Sequence, residues 1–218
     1  MTAIWAMPET IYDVDDGHLA PSPILEKAKA AGVDTISIMI DERSKDRSYR
    51  PYRRHDVRAW LDARDVCEAA GFDVGLTVWA QPDTLDAVRW LTDQLRPDHL
   101  CLDAEEPWTK SGGVRDPEAW AKAFDDTDLP VYVSTILYAT PRARALVDAF
   151  GPESWVPQVY SPRLALDPER LERRIECTDH VALPLYHSRP ELAALQHVTA
   201  ATPNRWYWSL RHFGGEKL

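Results

Sequence analysis

The sequence predicts an α/β chain of eight parallel strands closed into a (β/α)8 barrel, one domain spanning residues 1–218. Three observations predict it. Eight short apolar, β-branched runs alternate with segments rich in Ala, Leu, Glu and Arg. The first run is followed by Pro8-Glu9-Thr10-Ile11-Tyr12-Asp13, not by the glycine-rich phosphate loop that an open doubly wound sheet normally carries there. Polar and aromatic residues collect after the runs, while their starts (Val33, Val131, Val181) are plain.

The strand candidates are Ala3–Met7, Thr35–Asp41, Asp73–Trp79, His99–Glu105, Val131–Leu137, Trp155–Tyr160, Val181–Tyr186 and Arg205–Ser209. The helices between them are Pro23–Ala31, Asp56–Ala70, Pro82–Leu95, Asp116–Phe124, Pro141–Phe150, Pro168–Cys177 and Pro190–Thr199. Most open on or beside a proline, which is preset for a first helical turn, and Gly32, Gly71 and Gly151 close three of them. After Arg205–Ser209 only Leu210–Leu218 remains, so the final helix of the barrel is expected to be missing or very short. Trp60, Trp90 and Trp120 fall on helices and are expected to face the barrel wall.

A hydrophobic fraction of 44% and a charged fraction of 28% are those of an ordinary globular protein. A net charge of -10 argues against nucleic acid or an anionic membrane as the main partner. Cys67, Cys101 and Cys177 have no metal-ligand spacing and read as buried thiols in a reducing compartment. No basic segment followed by an apolar run opens the chain, so the expected location is cytoplasmic as synthesised, with another protein delivering it to any target outside.

In a barrel of this kind the site lies at the C-terminal ends of the strands. The richest end is Leu102-Asp103-Ala104-Glu105-Glu106-Pro107-Trp108. Residues two apart on a strand share a face, so Asp103 and Glu105 are expected to project together, with Leu102 and Ala104 behind. Paired carboxylates repel, and that repulsion can hold one proton on the pair for acid–base work. The other ends supply Asp41, Trp79 and Gln81, then Ser134, Gln158 and Tyr160, then Tyr186-His187, Trp206 and Trp208. Acids ringed by Trp, Tyr and Gln suit a neutral, hydroxyl-rich ligand. No HxH, HxxxH or HExxH spacing occurs, so neither metal nor cofactor is expected. The segment Arg43–Arg54 carries five arginines and reads equally as a lid or as a solvated loop. Asp13, Asp15 and Asp16 beside Gly17 read as a solvated turn, and His180 as a surface or helix-end histidine.

These pieces resemble the TIM-barrel glycoside hydrolases with Asp-x-Glu on the fourth strand, chiefly the lysozyme-like muramidases and the glycoside hydrolase-like proteins of phage. The matching residues are Leu102-Asp103-Ala104-Glu105, Trp79, and Trp155-Val156-Pro157-Gln158-Val159-Tyr160. The resemblance implies a hydrolase of β-linked polysaccharide, foremost peptidoglycan. It implies Glu105 as the proton donor and Asp103 as its electrostatic or orienting partner. Trp79, Gln81, Gln158, Tyr160, Tyr186, Trp206 and Trp208 would hold the sugar. Those muramidases place an aspartate in the first strand, and Ala3–Met7 has none. Asp13 or Asp41 would have to replace it, and a bulge could present Glu106 in place of Glu105. Two other classes fit the residues: a non-catalytic glycan-binding or structural barrel, and a metal-dependent barrel enzyme on a small substrate.

Overall fold

The computed structural model describes the backbone of residues 1–40, 54–80, 84–104, 116–136, 141–159, 168–175, 178–184 and 202–208. Ten strands occur among them. They are β1 (Thr2–Ala6), β2 (Tyr12–Asp15), β3 (His18–Pro21), β4 (Thr35–Ile40), β5 (Asp73–Trp79), β6 (Leu100–Asp103), β7 (Val131–Ile136), β8 (Trp155–Gln158), β9 (His180–Pro184) and β10 (Asn204–Trp208). Eight of them close a barrel in the order β1-β10-β9-β8-β7-β6-β5-β4, every pair parallel. Each corresponds to one of the eight apolar runs. The helices are α1 (Pro23–Ala30), α2 (Arg54–Ala69), α3 (Leu85–Leu95), α4 (Pro117–Lys122), α5 (Pro141–Phe150) and α6 (Pro168–Ile175). The segments expected as Pro190–Thr199 and as a final helix lie outside the described residues.

Local chemistry explains where helices begin. Ser22 precedes Pro23, and its hydroxyl accepts from the Leu25 amide at 3.4 Å. Asp116 does the same for Ala119 ahead of Pro117, at 2.9 Å. Strand alternation then divides the core in two. Ile4, Ile36, Ile38, Leu76, Leu100, Leu102 and Val181 pack outward against the helices, together with Trp60 and Trp120. Ala3, Trp5, Met39, Cys101, Val156, Ala182 and Trp206 fill the interior. Trp90 departs from expectation, because it is 48% exposed. The buried stripe of α3 is Val88, Leu91, Thr92 and Leu95, and Trp90 stands off it.

The connection after β1 holds a feature the sequence reading left as a turn. Strands β2 and β3 pair antiparallel, Tyr12 to Pro21 through Asp15 to His18. Asp16 and Gly17 join them with φ of 47° and 80°, the left-handed pair that tightens a two-residue hairpin. Asp13 lies exposed on this hairpin.

The N-terminal end of the barrel is not plain. His99, Tyr132, His180 and Trp206 form a ring cluster there, with centroids 4.8 to 6.3 Å apart. His180 is buried, not a surface residue, and its Nδ1 accepts from Trp206 Nε1 at 3.1 Å. His99 Nε2 meets the Ser37 hydroxyl at 3.1 Å, and Ser37 meets Thr77 at 2.7 Å. This plug is the floor beneath any site at the opposite end.

Burial holds His99 neutral and lowers its pKa to about 4, outweighing the pull of Asp98; the neighbouring His180 lowers it further. Burial lowers His180 to about 4 as well, against the pull of Asp179 and with the push of the N-terminal ammonium. Both depressed values act in one direction. Well above pH 6.5 neither histidine is charged in either state. As pH falls toward 4 the unfolded chain takes up protons that the barrel refuses, so stability drops. The barrel is therefore expected to lose stability between pH 6.5 and 5, before most carboxylates titrate, as read by urea unfolding at each pH. His99 alone accounts for on the order of 3 kcal/mol by pH 4. A His99→Gln variant should unfold more easily at pH 7 but show a flatter pH slope. An unchanged slope would show that His99 is not its source.

Candidate functional site

The C-terminal ends of β5 to β8 present one inward-facing polar row. Trp79 lies beside Asp103 in register, and Asp103 beside Ser134. Gln158 follows on β8, opposite Ile136. Asp103 is 6% exposed, Gln158 7% and Ser134 0%. These are buried polar groups, which need partners. Gln158 Nε2 donates to Asp103 Oδ1 and to Ser134 Oγ, each at 3.0 Å. The backbone ties the same strand ends together. The Ala80 amide donates to the Asp103 carbonyl at 3.0 Å, and the Ala104 amide to the Ser134 carbonyl at 2.8 Å.

Strand alternation predicts the face of Asp103 correctly. Leu102 and Ala104 are fully buried in the layer under the helices, so Asp103 between them points into the barrel. The carboxylate is not a solvated strand-end acid. It belongs to the barrel interior, one layer above Cys101, whose thiol burial pushes far up, with the Asp103 charge adding to the shift. A thiol held so strongly protonated is a packing group and not a nucleophile. Cys67 is likewise buried, its pKa raised to about 12; Cys177 lies outside the described residues.

Among the expected site residues, the structure brings Asp103 and Gln158 together and sets Trp79 next to them. Trp206 is a correction. It is 0% exposed and sits in the lower interior, level with Ala3 and Ala182, its indole nitrogen occupied by His180. It builds the floor and offers no surface to a sugar. Trp208 occupies β10 two residues higher, in register with Trp5; its side chain is outside the described residues. Asp41, Gln81, Glu105, Glu106, Tyr160 and Tyr186 also lie outside the described residues. Ser134 is a hydrogen-bond partner of Gln158 that the sequence placed only at a strand end. Its signal was the shared inward parity with Asp103 on the adjoining strand.

Between the ends of β1 and β4, Met7, Tyr12, Met39 and Ile40 help line a cavity of about 160 Å³. That is small for a pocket engulfing a drug-sized ligand, roughly 300 Å³ or more. Among the described residues, no group of three His, Cys, Asp or Glu could hold a metal ion. No helix among them is long and apolar enough to cross a membrane.

No protein-family profile matches this chain. No curated protein matches it either. Solved structures do. An endo-β-1,4-glucanase from Bacillus licheniformis (glycoside hydrolase family 5, subfamily 4) aligns with a TM-score of 0.56 at 13% identity, covering 98% of this chain and 55% of that one. The catalytic domain of a chitinase from Pyrococcus furiosus aligns at 0.55 and 12% identity, covering 95% and 83%. A dihydrodipicolinate synthase from Agrobacterium tumefaciens aligns equally well, at 0.56 and 16% identity, covering 96% and 70%. The chain is a (β/α)8 barrel. At these identities the likeness is one of fold, shared by glycoside hydrolases and by enzymes of other chemistry.

Proposed function

We propose that this barrel is a glycoside hydrolase acting on a β-linked polysaccharide, foremost peptidoglycan. The observation that carries the reading is the placement of Asp103 on the inner face at the C-terminal end of β6, gripped by Gln158. Glu105 follows two residues later in the sequence, and the alternation expected from the sequence would put it on the side of Asp103. In the proposed reaction Glu105 protonates the glycosidic oxygen. Asp103 stabilises the oxocarbenium-like centre or orients an acetamido group that assists it, a known exception to the two-carboxylate scheme. Trp79 supplies an aromatic wall beside Asp103, with Gln81, Tyr160, Tyr186 and Trp208 as further sugar contacts. Glu106 is the alternative acid, and Asp41 the candidate for the carboxylate missing from β1.

The inward residues of β1 are Ala3 and Trp5, neither of which can act as an acid or base. That observation favours a second reading, a barrel that binds glycan without cleaving it. Reducing-end release from purified peptidoglycan and from chitin, measured between pH 5 and 8, separates the two. Release is expected on at least one polymer. Binding to the polymer with no release at any pH would establish the second reading. Activity lost to a chelator and restored by Mg²⁺ or Mn²⁺ would point instead to a metal-dependent enzyme.

A further inference from the structure

We propose that Ser134 and Gln158 act as a clamp that fixes the orientation of Asp103 and leaves the Gln158 carbonyl as the acceptor offered to a ligand. A carboxamide carries two N–H donors on one atom and an acceptor on the other. Both acceptors within reach of Gln158 Nε2 are used: Asp103 Oδ1 and Ser134 Oγ, at 3.0 Å each. The ionised Asp103 carboxylate can only accept, so it takes the amino end of Gln158, and turning the amide over would set Oε1 against Oδ1; the Ser134 hydroxyl, able to accept or donate, accepts from the same amino group. Asp103 therefore decides which end of Gln158 faces it, and Ser134 steadies that amide with a second contact, although it touches no ligand itself. It is completely buried, and strand β7 holds it beside Asp103 in register.

Two consequences follow. The amide donor favours the ionised form of Asp103 in a place where burial alone would disfavour it. Asp103 is thereby kept as a charged partner and not as a second acid. The other consequence concerns the ligand. Among the described residues no donor reaches Gln158 Oε1, so a ligand meeting this side chain must bring a donor of its own. A sugar hydroxyl or an amide N–H does so. A carboxylate or phosphate would meet an acceptor with the Asp103 charge close behind it. The second consequence rests on the proposed function; the first does not.

The test is carbon-13 NMR of the Asp103 carboxyl in the whole chain, titrated with pH, using Asp103→Asn to assign the signal. Gln158→Leu is expected to raise the Asp103 titration midpoint by about one pH unit or more. Ser134→Ala, which removes the second contact that steadies the amide, is expected to raise it by a smaller amount. In the unmodified protein the Gln158 side-chain amide protons should exchange slowly, which keeps the idea testable if a variant does not fold. A midpoint unmoved in both variants, or fast-exchanging amide protons, would overturn the clamp. This readout needs no turnover. A barrel that cleaves no polysaccharide can still show the clamp, and an active hydrolase can still lack it.

Discussion

Glu105→Gln is expected to remove nearly all reducing-end release from the polymer that the unmodified chain cleaves. The change keeps the shape of the side chain and removes its transferable proton, so the leaving oxygen must depart unprotonated. Positioned acid catalysis is worth roughly 10²–10⁴-fold, and the rate should fall by about that factor. Asp103→Asn should also reduce the rate, by a different route. It places a neutral amide where Gln158 Nε2 now finds a carboxylate oxygen, so charge and orientation are lost together. The two variants are then distinguishable by pH. The Glu105 variant should have lost the basic limb of its profile, and the Asp103 variant should keep it. Unfolding by urea serves as the control for Glu105→Gln, with a change within about 0.5 kcal/mol expected where the loss is one of chemistry and not of fold. Turnover near that of the unmodified chain in the Glu105 variant would remove Glu105 from the mechanism and return the role of acid to Glu106.

The barrel was legible in this chain because its signals are local. Each strand is a short apolar run, helix starts are marked by Ser22-Pro23, Asp116-Pro117 and similar pairs, and parity alone places Asp103 inward. Parity does not give height. Alternation in the sequence expects Trp206 inward, but only the register of the closed sheet shows that it sits low, level with Ala3 and Ala182. The same limit hid His180, which opens its strand and so falls on the floor. Trp90 was legible in principle. Val88, Leu91 and Leu95 define the buried stripe of α3, and a residue two places after Val88 falls well around the helix from it. The hairpin carried its own signal in Asp16-Gly17 between two short runs, but four-residue strands give too little alternation to count. The Gln158 clamp was invisible for another reason. It joins three strands, and which end of an amide meets which acceptor depends on positions far apart in sequence.

Gly75 shows how such a non-local demand can rest on one atom. It lies on β5 in register with Ser37 on β4, and the ring of His99 on the far side of β5 folds over it to reach the Ser37 hydroxyl at 3.1 Å. A methyl group at Gly75 would overlap His99 Cε1, Nε2 and Cδ2. The ring has no retreat, because Trp206 stands edge-on at 5.4 Å and Tyr132 at 5.7 Å. Gly75→Ala is therefore expected to destabilise the barrel by about 3 kcal/mol, at the upper end for overpacking a filled core. Displacing the ring would also cost the His99–Ser37 hydrogen bond and leave Thr77 to hold the Ser37 hydroxyl. Shortening His99 to alanine removes the clash while opening a cavity. The double variant Gly75→Ala with His99→Ala should thus be more stable than the sum of the single changes predicts, by on the order of 2 kcal/mol in a urea double-mutant cycle. Strict additivity would mean that the glycine serves its strand and not the histidine. Coupling of the expected size would show that the buried floor beneath Asp103 depends on the absence of a single side chain.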